Sequence, residues 1–328
     1  MLAVKKSISS FISIIWSNAP DISFSQIKHE LILGLVAFFG TYWLSSSLDN
    51  RKVCVIALLL SFFLTFSIAI ISNKGFSFNS WEANLKNIHG VGFYSTYLTY
   101  LFPLLIIPIL LKPFPYSREI TLICIALMLP ISIANDNRMT FIAIGSTFIF
   151  ASFLLTSKYR HNLTNIHKIL IILLALPIGT AGIYKGFFSG LPQKNMTTTE
   201  VASYYISQEP RIVIWDYWID RAKENPIQGI GYGWKVPDDH AKSKTKPKNY
   251  GNLTQGHAHN IFIDQLVRTG IIGLSFFLLT FIFVIHRFWK YYRTDDRATK
   301  IIGITGLSFM FAVIVKNQTD LFLAGHLY

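Results

Sequence analysis

The stretch HAHNIFIDQLVRTGIIGL, residues 257–274, sets His257, His259, Asn260, Asp264, Gln265 and Arg268 at the edge of an apolar run. Polar groups at such a boundary cost free energy unless they are paired or put to use. Two arginines elsewhere extend the inventory: Arg138 in the short turn NDNR, and Arg211 near the start of EPRIVIWDYWIDRAKENPIQGIGYG, residues 209–233. Two guanidiniums on one rim can hold a diphosphate by bidentate, charge-assisted hydrogen bonds. A neutral imidazole nearby can take a proton from a hydroxyl at neutral pH. Together these parts suit glycosyl transfer from a lipid diphosphate. Each also has an ordinary reading: Arg138 as a snorkelling interfacial residue, Arg211 as a surface charge, His259 as a satisfied histidine at a helix start. His257 and His259 with Asn260 make no zinc site, which needs three or four ligands. No metal or other cofactor is expected.

The elements that must carry these residues are written in the composition. The 328-residue chain is 52% hydrophobic and only 14% charged, with 27 Phe. A soluble domain carries roughly a quarter charged residues, so most of this surface does not face water. Apolar stretches long enough to cross a bilayer fall near 31–48, 53–72, 91–111, 120–135, 139–156, 168–184, 271–287 and 301–317. They lack the polar stripe of a water-facing helix. The expected fold is all-α: a polytopic transmembrane helical bundle of about eight spans, a single integral membrane domain over 1–328.

The formal charge of +13 is a topology signal rather than a nucleic-acid footprint. Arg287, Lys290, Arg293, Arg297 and Lys300 crowd one connection; Lys158, Arg160 and Lys168, Lys112 and Arg118, and Arg51 and Lys52 occupy three others. All four lie on one side if the spans alternate, and the positive-inside rule makes that side cytoplasmic. The opposite short connections hold only Lys74 and Lys86, and Arg138. Cys54 and Cys124 lie inside spans and read as small apolar fillers. No cleavable signal peptide is evident. Residues 8–20, with the short apolar piece FISIIW, read as a partial or interfacial helix, or else an upstream helix is missing.

One connection, 186–256, is long, and the charge pattern puts it outside the cytoplasm. Within it, Glu209 and Pro210 suit a helix start. Ile212, Trp215, Ile219 and Ala222 share a face with Trp218 beside them, giving an amphipathic helix on the membrane surface or over the bundle. Asn225-Pro226 ends that helix, and Gly229, Gly231 and Gly233 make a turn-rich exit. The run KSKTKPK, residues 242–248, reads as a solvated segment.

These motifs resemble those of the bacterial O-antigen ligase/polymerase superfamily. Its signature is His-Asn, nine residues, Gly, two residues and a small residue, here His259-Asn260, Gly270 and Gly273. WDYWIDRAKENPIQGIGYGW resembles the family segment ending in nPi-G-GyG. NDNRMTFIAI is similar to its SRgaw motif, with Asn137 for the usual Ser, and HGVGFYSTYLTYLFPLL to an earlier span ending in lfP. KNQTD, residues 316–320, is similar to a terminal rN-tD element with Lys316 in the Arg position. The similarity covers roughly residues 85–325.

The resemblance implies a GT-C-like glycosyltransferase of the bacterial inner membrane, metal-independent and inverting, with 186–256 as a large periplasmic loop. It implies a glycan donor linked to undecaprenyl diphosphate, and as acceptor a sugar of lipid A-core (a ligase) or another repeat unit (a polymerase). By position, Arg138 and Arg211 hold the diphosphate and His259 is the general base or orients the acceptor hydroxyl. His257, Asn260, Gly270 and Gly273 support it, the glycines by admitting a neighbouring span close to the histidine. Family members are usually longer, with further spans ahead of the matched region, in keeping with the odd N-terminal topology. Ligase is favoured over polymerase because the Arg-bearing outer turn, the nPi-G-GyG segment and the His-Asn signature occur together. A transporter or flippase would instead show ionisable residues in mid-span or duplicated halves; the spans carry few charges and no duplication is visible.

Overall fold

The computed structural model of the chain describes residues 13–45, 47–72, 95–134, 138–158, 210–233, 236 and 258–318. Among them every regular element is helical. A single turn of 3-10 helix, Ser13–Trp16, precedes α1 (Pro20–Ser45) and α2 (Leu48–Ser72). Helical residues 95–104 lead into α3 (Ile106–Leu111), followed by α4 (Ser117–Ala134) and α5 (Arg138–Lys158). Then come α6 (Pro210–Glu224), α7 (Ile261–Arg293) and α8 (Arg297–Asn317).

Among the described residues three helices are long and apolar enough to cross a membrane: Asp49–Ile68 within α2, then α7 and α8. Ser95–Leu111 and Ile142–Ser157 are shorter apolar helices. The expected span near 168–184 lies outside the described residues. Leu60, Leu64, Ile282 and Phe283 all point outward from these helices. Water penalises such a row of exposed apolar side chains and lipid does not, so the chain is a membrane protein.

The chain divides into two compact units. One gathers the described parts of Met1–Gly40, Leu191–Phe283 and Asn317–Tyr328, the other those of Thr41–Gly190 and Val284–Lys316. In the second, Leu59 and Phe62 of α2 pack with Leu98, Leu101, Leu105, and Cys124 and Met128 of α4. Both cysteines are free, as small fillers should be. Lys316 at the end of α8 is fully buried and donates from Nζ to Ser95 Oγ at 2.8 Å. An ammonium is tolerated there because it is hydrogen-bonded and sits at the negative end of a helix.

In the first unit the core forms where α6 meets the start of α7. Ile214, Tyr217, Trp218 and Ala222 pack with Ile230, Val236, Ala258 and Val267, and with Ala19 and Ile22 at the start of α1. Helix α6 ends at Glu224, before Asn225-Pro226, as expected. Its buried face is turned from the expected stripe: Ile219 is 37% exposed, whereas Tyr217 is buried. The reason is that Tyr217 behaves as an aromatic body with a polar tip. Its ring packs edge-on to Trp218 at 5.1 Å, and the Arg221 guanidinium covers it at 5.5 Å. Burial pushes the Tyr217 hydroxyl's pKa up. Residues 242–248 lie outside the described residues.

Candidate functional site

Helix α7 is broken at Gly270, whose φ of 62° and ψ of −167° fall in a region that only glycine occupies readily. A break strands the carbonyls of the turn before it and the N–H groups of the turn after it. The segment that follows α6 satisfies them. The N–H groups of Ile230 and Gly231 donate to the carbonyls of Val267 and Arg268, each at 2.9 Å. In return, the N–H of Ile271 reaches the Pro226 carbonyl at 2.8 Å and that of Ile272 the Ile227 carbonyl at 3.4 Å. A Cβ on Gly270 would collide with the Ile227 carbonyl. One on Gly229, whose φ is 71°, would collide with the backbone of Arg268. The NPIQGIGYG segment and the histidine-bearing helix are therefore one interlocked element.

Residues near the chain start complete it. The Trp16 indole Nε1 donates to the Gln228 carbonyl at 2.9 Å, and the Asn18 N–H to that of Ile230 at 2.9 Å. The Ser17 side chain fills the space that a Cβ on Gly231 would need. The expected partial helix over residues 8–20 is, where described, a 3-10 turn and a connection clasping the glycine-rich exit. At Gly270 the close neighbour is an irregular segment where a neighbouring span was expected. Gly270 backs onto the Ile227–Gln228 main chain, and a Cβ on Gly273 would meet the Thr269 side chain of the preceding turn. Breaking a helix exposes hydrogen-bonding groups, and the partner able to satisfy them is an irregular backbone rather than another helix.

The turn that carries the histidine is equally determined. His259 is half-buried and left-handed, with φ of 52°, a conformation uncommon outside glycine. Immediately after it, Asn260 is buried, and its Oδ1 accepts the N–H groups of Phe262 at 3.0 Å and Ile263 at 3.3 Å. This is an N-cap. Asn260 Nδ2 in turn donates to Gln318 Oε1 at 3.3 Å. Across the histidine, Asp264 Oδ1 accepts the Ala258 N–H at 3.0 Å. One turn on, Gln265 Nε2 donates to Thr269 Oγ1 at 2.7 Å. Of the polar residues at the edge of the apolar run, Asn260, Asp264, Gln265 and Arg268 are thus buried, and the first three are hydrogen-bonded to nearby backbone or side-chain groups. Replacing Asn260 with alanine should destabilise the protein by about 1 kcal/mol through loss of the cap. Thermal unfolding in detergent should show this as a lowered midpoint, and an unchanged midpoint would count against the cap.

The sequence-derived residues fall as follows. His259, Asn260, Gly270 and Gly273 all belong to the first unit and to the interlocked element or its immediate start. Arg211 is the second residue of α6, in the same unit; Arg138 is the first residue of α5, in the second. The side chains of both arginines, and all of His257, lie outside the described residues. Sequence reasoning gave no role to Asp264, Gln318 or Trp16. Asp264 had a visible signal, a carboxylate on the first turn of a capped helix, where it can reach back to preceding N–H groups. Gln318 and Trp16 had none, because their contacts span long sequence separations.

Residues 123–278 match the family model described as O-antigen ligase. Among similar proteins, the exopolysaccharide production protein ExoQ of Rhizobium meliloti is 29% identical over 120 residues, 35% of this chain and 27% of that protein. An uncharacterised protein of Haemophilus influenzae is 26% identical over 165 residues, 48% of this chain and 41% of that protein. The chain therefore spans less than half the length of these relatives. The matched family region runs from within α4 to the middle of α7 and so contains Arg138, Arg211 and the interlocked element.

Proposed function

We propose, from the match of residues 123–278 to the O-antigen ligase family model, that this chain belongs to that superfamily and is a glycosyltransferase of the bacterial inner membrane. In this reading, 1–328 forms one integral membrane domain and the 186–256 loop is periplasmic. It transfers O-antigen polysaccharide from undecaprenyl diphosphate to a sugar hydroxyl of lipid A-core. The observation that carries the reading is the built turn at His259. Its left-handed backbone is fixed by hydrogen bonds on both sides, and the helix it opens is broken at Gly270 and completed there by the NPIQGIGYG segment. Backbone strain held by its surroundings in this way is typical of a site where geometry serves chemistry.

The proposed division of labour follows from the residue types. Arg138 and Arg211 hold the diphosphate as bidentate forks and stabilise the charge that grows on it as the glycosidic bond breaks. His259, uncharged, accepts the proton of the acceptor hydroxyl as its oxygen attacks the anomeric carbon. Attack opposite the departing lipid diphosphate inverts the configuration at that carbon. The scheme assigns no metal ion: two guanidiniums offset most of the negative charge on the leaving diphosphate.

A second reading has an observation of its own. The relative from Rhizobium meliloti is named for exopolysaccharide production, which favours a polymerase that joins one lipid-linked repeat unit to another. Inactivation of the gene separates the two on a lipopolysaccharide gel. Loss of all long chains with build-up of lipid-linked polymer supports the ligase, and a single repeat unit on core supports the polymerase. Normal long chains would refute both. For the arginines, Arg138→Ala and Arg211→Ala should each lower transfer by at least a hundredfold while the protein still inserts. Lysine at either position should restore little, because an ammonium cannot form the bidentate fork. Full activity in the lysine variants would replace the clamp with a general positive field.

A further inference from the structure

The chain buries two opposite charges one helical turn apart just beyond the histidine. Asp264 and Arg268 are each 2% exposed. Neither is needed by the chemistry assigned above, and a buried charge is costly unless something requires it. The hydrogen bonds say what that is for Asp264. Its main-chain N–H closes the helical bond to the Asn260 carbonyl at 2.9 Å. Its Oδ1 reaches back over the histidine to the Ala258 N–H at 3.0 Å. Ala258 is itself fully buried among Trp218, Ile230 and Val267. His259 is therefore held between an anchored residue before it and a capping asparagine after it.

Arg268 supplies no such bond: its Nε and Nη2 have no hydrogen-bond partner, nor does the second oxygen of Asp264. What Arg268 offers at that position is charge, four residues on along the same helix face.

We propose that Asp264 is a positioning residue for His259, fixing the histidine's left-handed backbone through the Ala258 N–H. The inference rests on the assignment of His259 to the reaction, but its structural half does not. Asn at position 264 retains an acceptor oxygen for the Ala258 N–H; Ala does not. Removing the negative charge, with Asn as with Ala, leaves Arg268 buried without an opposite charge nearby. The double variant Asp264→Ala with Arg268→Met therefore tests the same bond without that penalty, and Asp264→Asn is made in the same Arg268→Met background.

Two measurements on the full chain in detergent decide the matter. The first is amide hydrogen exchange at Ala258. Its exchange should rise at least tenfold in Asp264→Ala and in the double variant, and stay near the native rate in Asp264→Asn with Arg268→Met. The second is transfer kinetics with a synthetic polyprenyl-diphosphate-linked glycan. Both alanine-bearing proteins should lose at least tenfold in kcat with KM for the donor unchanged, and Asp264→Asn with Arg268→Met should keep more than a third of kcat. A role in folding alone would instead lower the yield of folded protein and leave the kinetics of the folded fraction native, which would overturn the proposal. Unchanged Ala258 exchange in the double variant would also overturn it. If exchange responds as stated but native protein transfers no glycan, the assignment of the reaction fails and the positioning of His259 stands.

Discussion

His259→Ala should insert and fold normally yet fail to move glycan, with lipid-linked donor accumulating in the cell. The loss expected from removing a positioned general base is about 10²–10⁴-fold in kcat. The backbone argument sharpens this expectation. His259 is half-buried and left-handed, and the hydrogen bonds that set its turn come from the Asn260 side chain and from Asp264 to Ala258. Those bonds persist when the imidazole is removed, which should leave the turn standing. A thermal midpoint close to native, combined with lost transfer, would separate chemistry from folding. Transfer at the native rate would remove His259 from the mechanism.

Gly270→Ala should be far more damaging than any surface change on the same helix. Its φ and ψ lie where a side chain is strained whatever its surroundings, and the added carbon meets the Ile227 carbonyl rather than a movable side chain. Relief requires the Pro226–Gln228 backbone to shift, which disturbs the bonds from Ile271 and Ile272. Strain of this kind costs about 3 kcal/mol at one residue, before the lost bonds are counted. We expect a sharply lowered unfolding midpoint and little accumulated protein. Gly40→Ala is the control: it lies within α1 and nothing stands within 4 Å of the added carbon. That change should be neutral or slightly stabilising, since alanine is the better helix former. Equal effects at the two positions would disprove the interlock.

Much of this was readable from residue order, and the reasons differ from element to element. Length and apolarity mark α7 and α8, because a helix in lipid must satisfy its own backbone and present apolar side chains. The end of α6 was legible at Asn225-Pro226, since proline forbids the preceding residue its helical conformation. Gly229, Gly231 and Gly233 announced a turn, and all three have positive φ. Their partner was not legible. The pairing of Ile230 and Gly231 with Val267 and Arg268 joins segments far apart in the chain through main-chain groups that every residue possesses. For the same reason Gly270 was read as admitting a neighbouring span, whereas the helix breaks there and the Ile227–Gln228 main chain packs against it. Tyr217 misled in another way, because a phenol counts as polar in a periodicity yet buries its ring. Within the candidate site, the histidine and its cap were evident from the His-Asn pair. The carboxylate that reaches back over them carried a weaker signal, its place on the first turn of a capped helix, which does not name the Ala258 N–H as its partner.

The most direct test is the release of undecaprenyl diphosphate from a defined lipid-linked glycan by the purified full chain, followed with and without a hydroxyl acceptor. The account predicts release that needs the acceptor, yields a product of inverted anomeric configuration, and falls at least a hundredfold in His259→Ala. Release at equal rates by native protein and His259→Ala, or product of retained configuration, would contradict it.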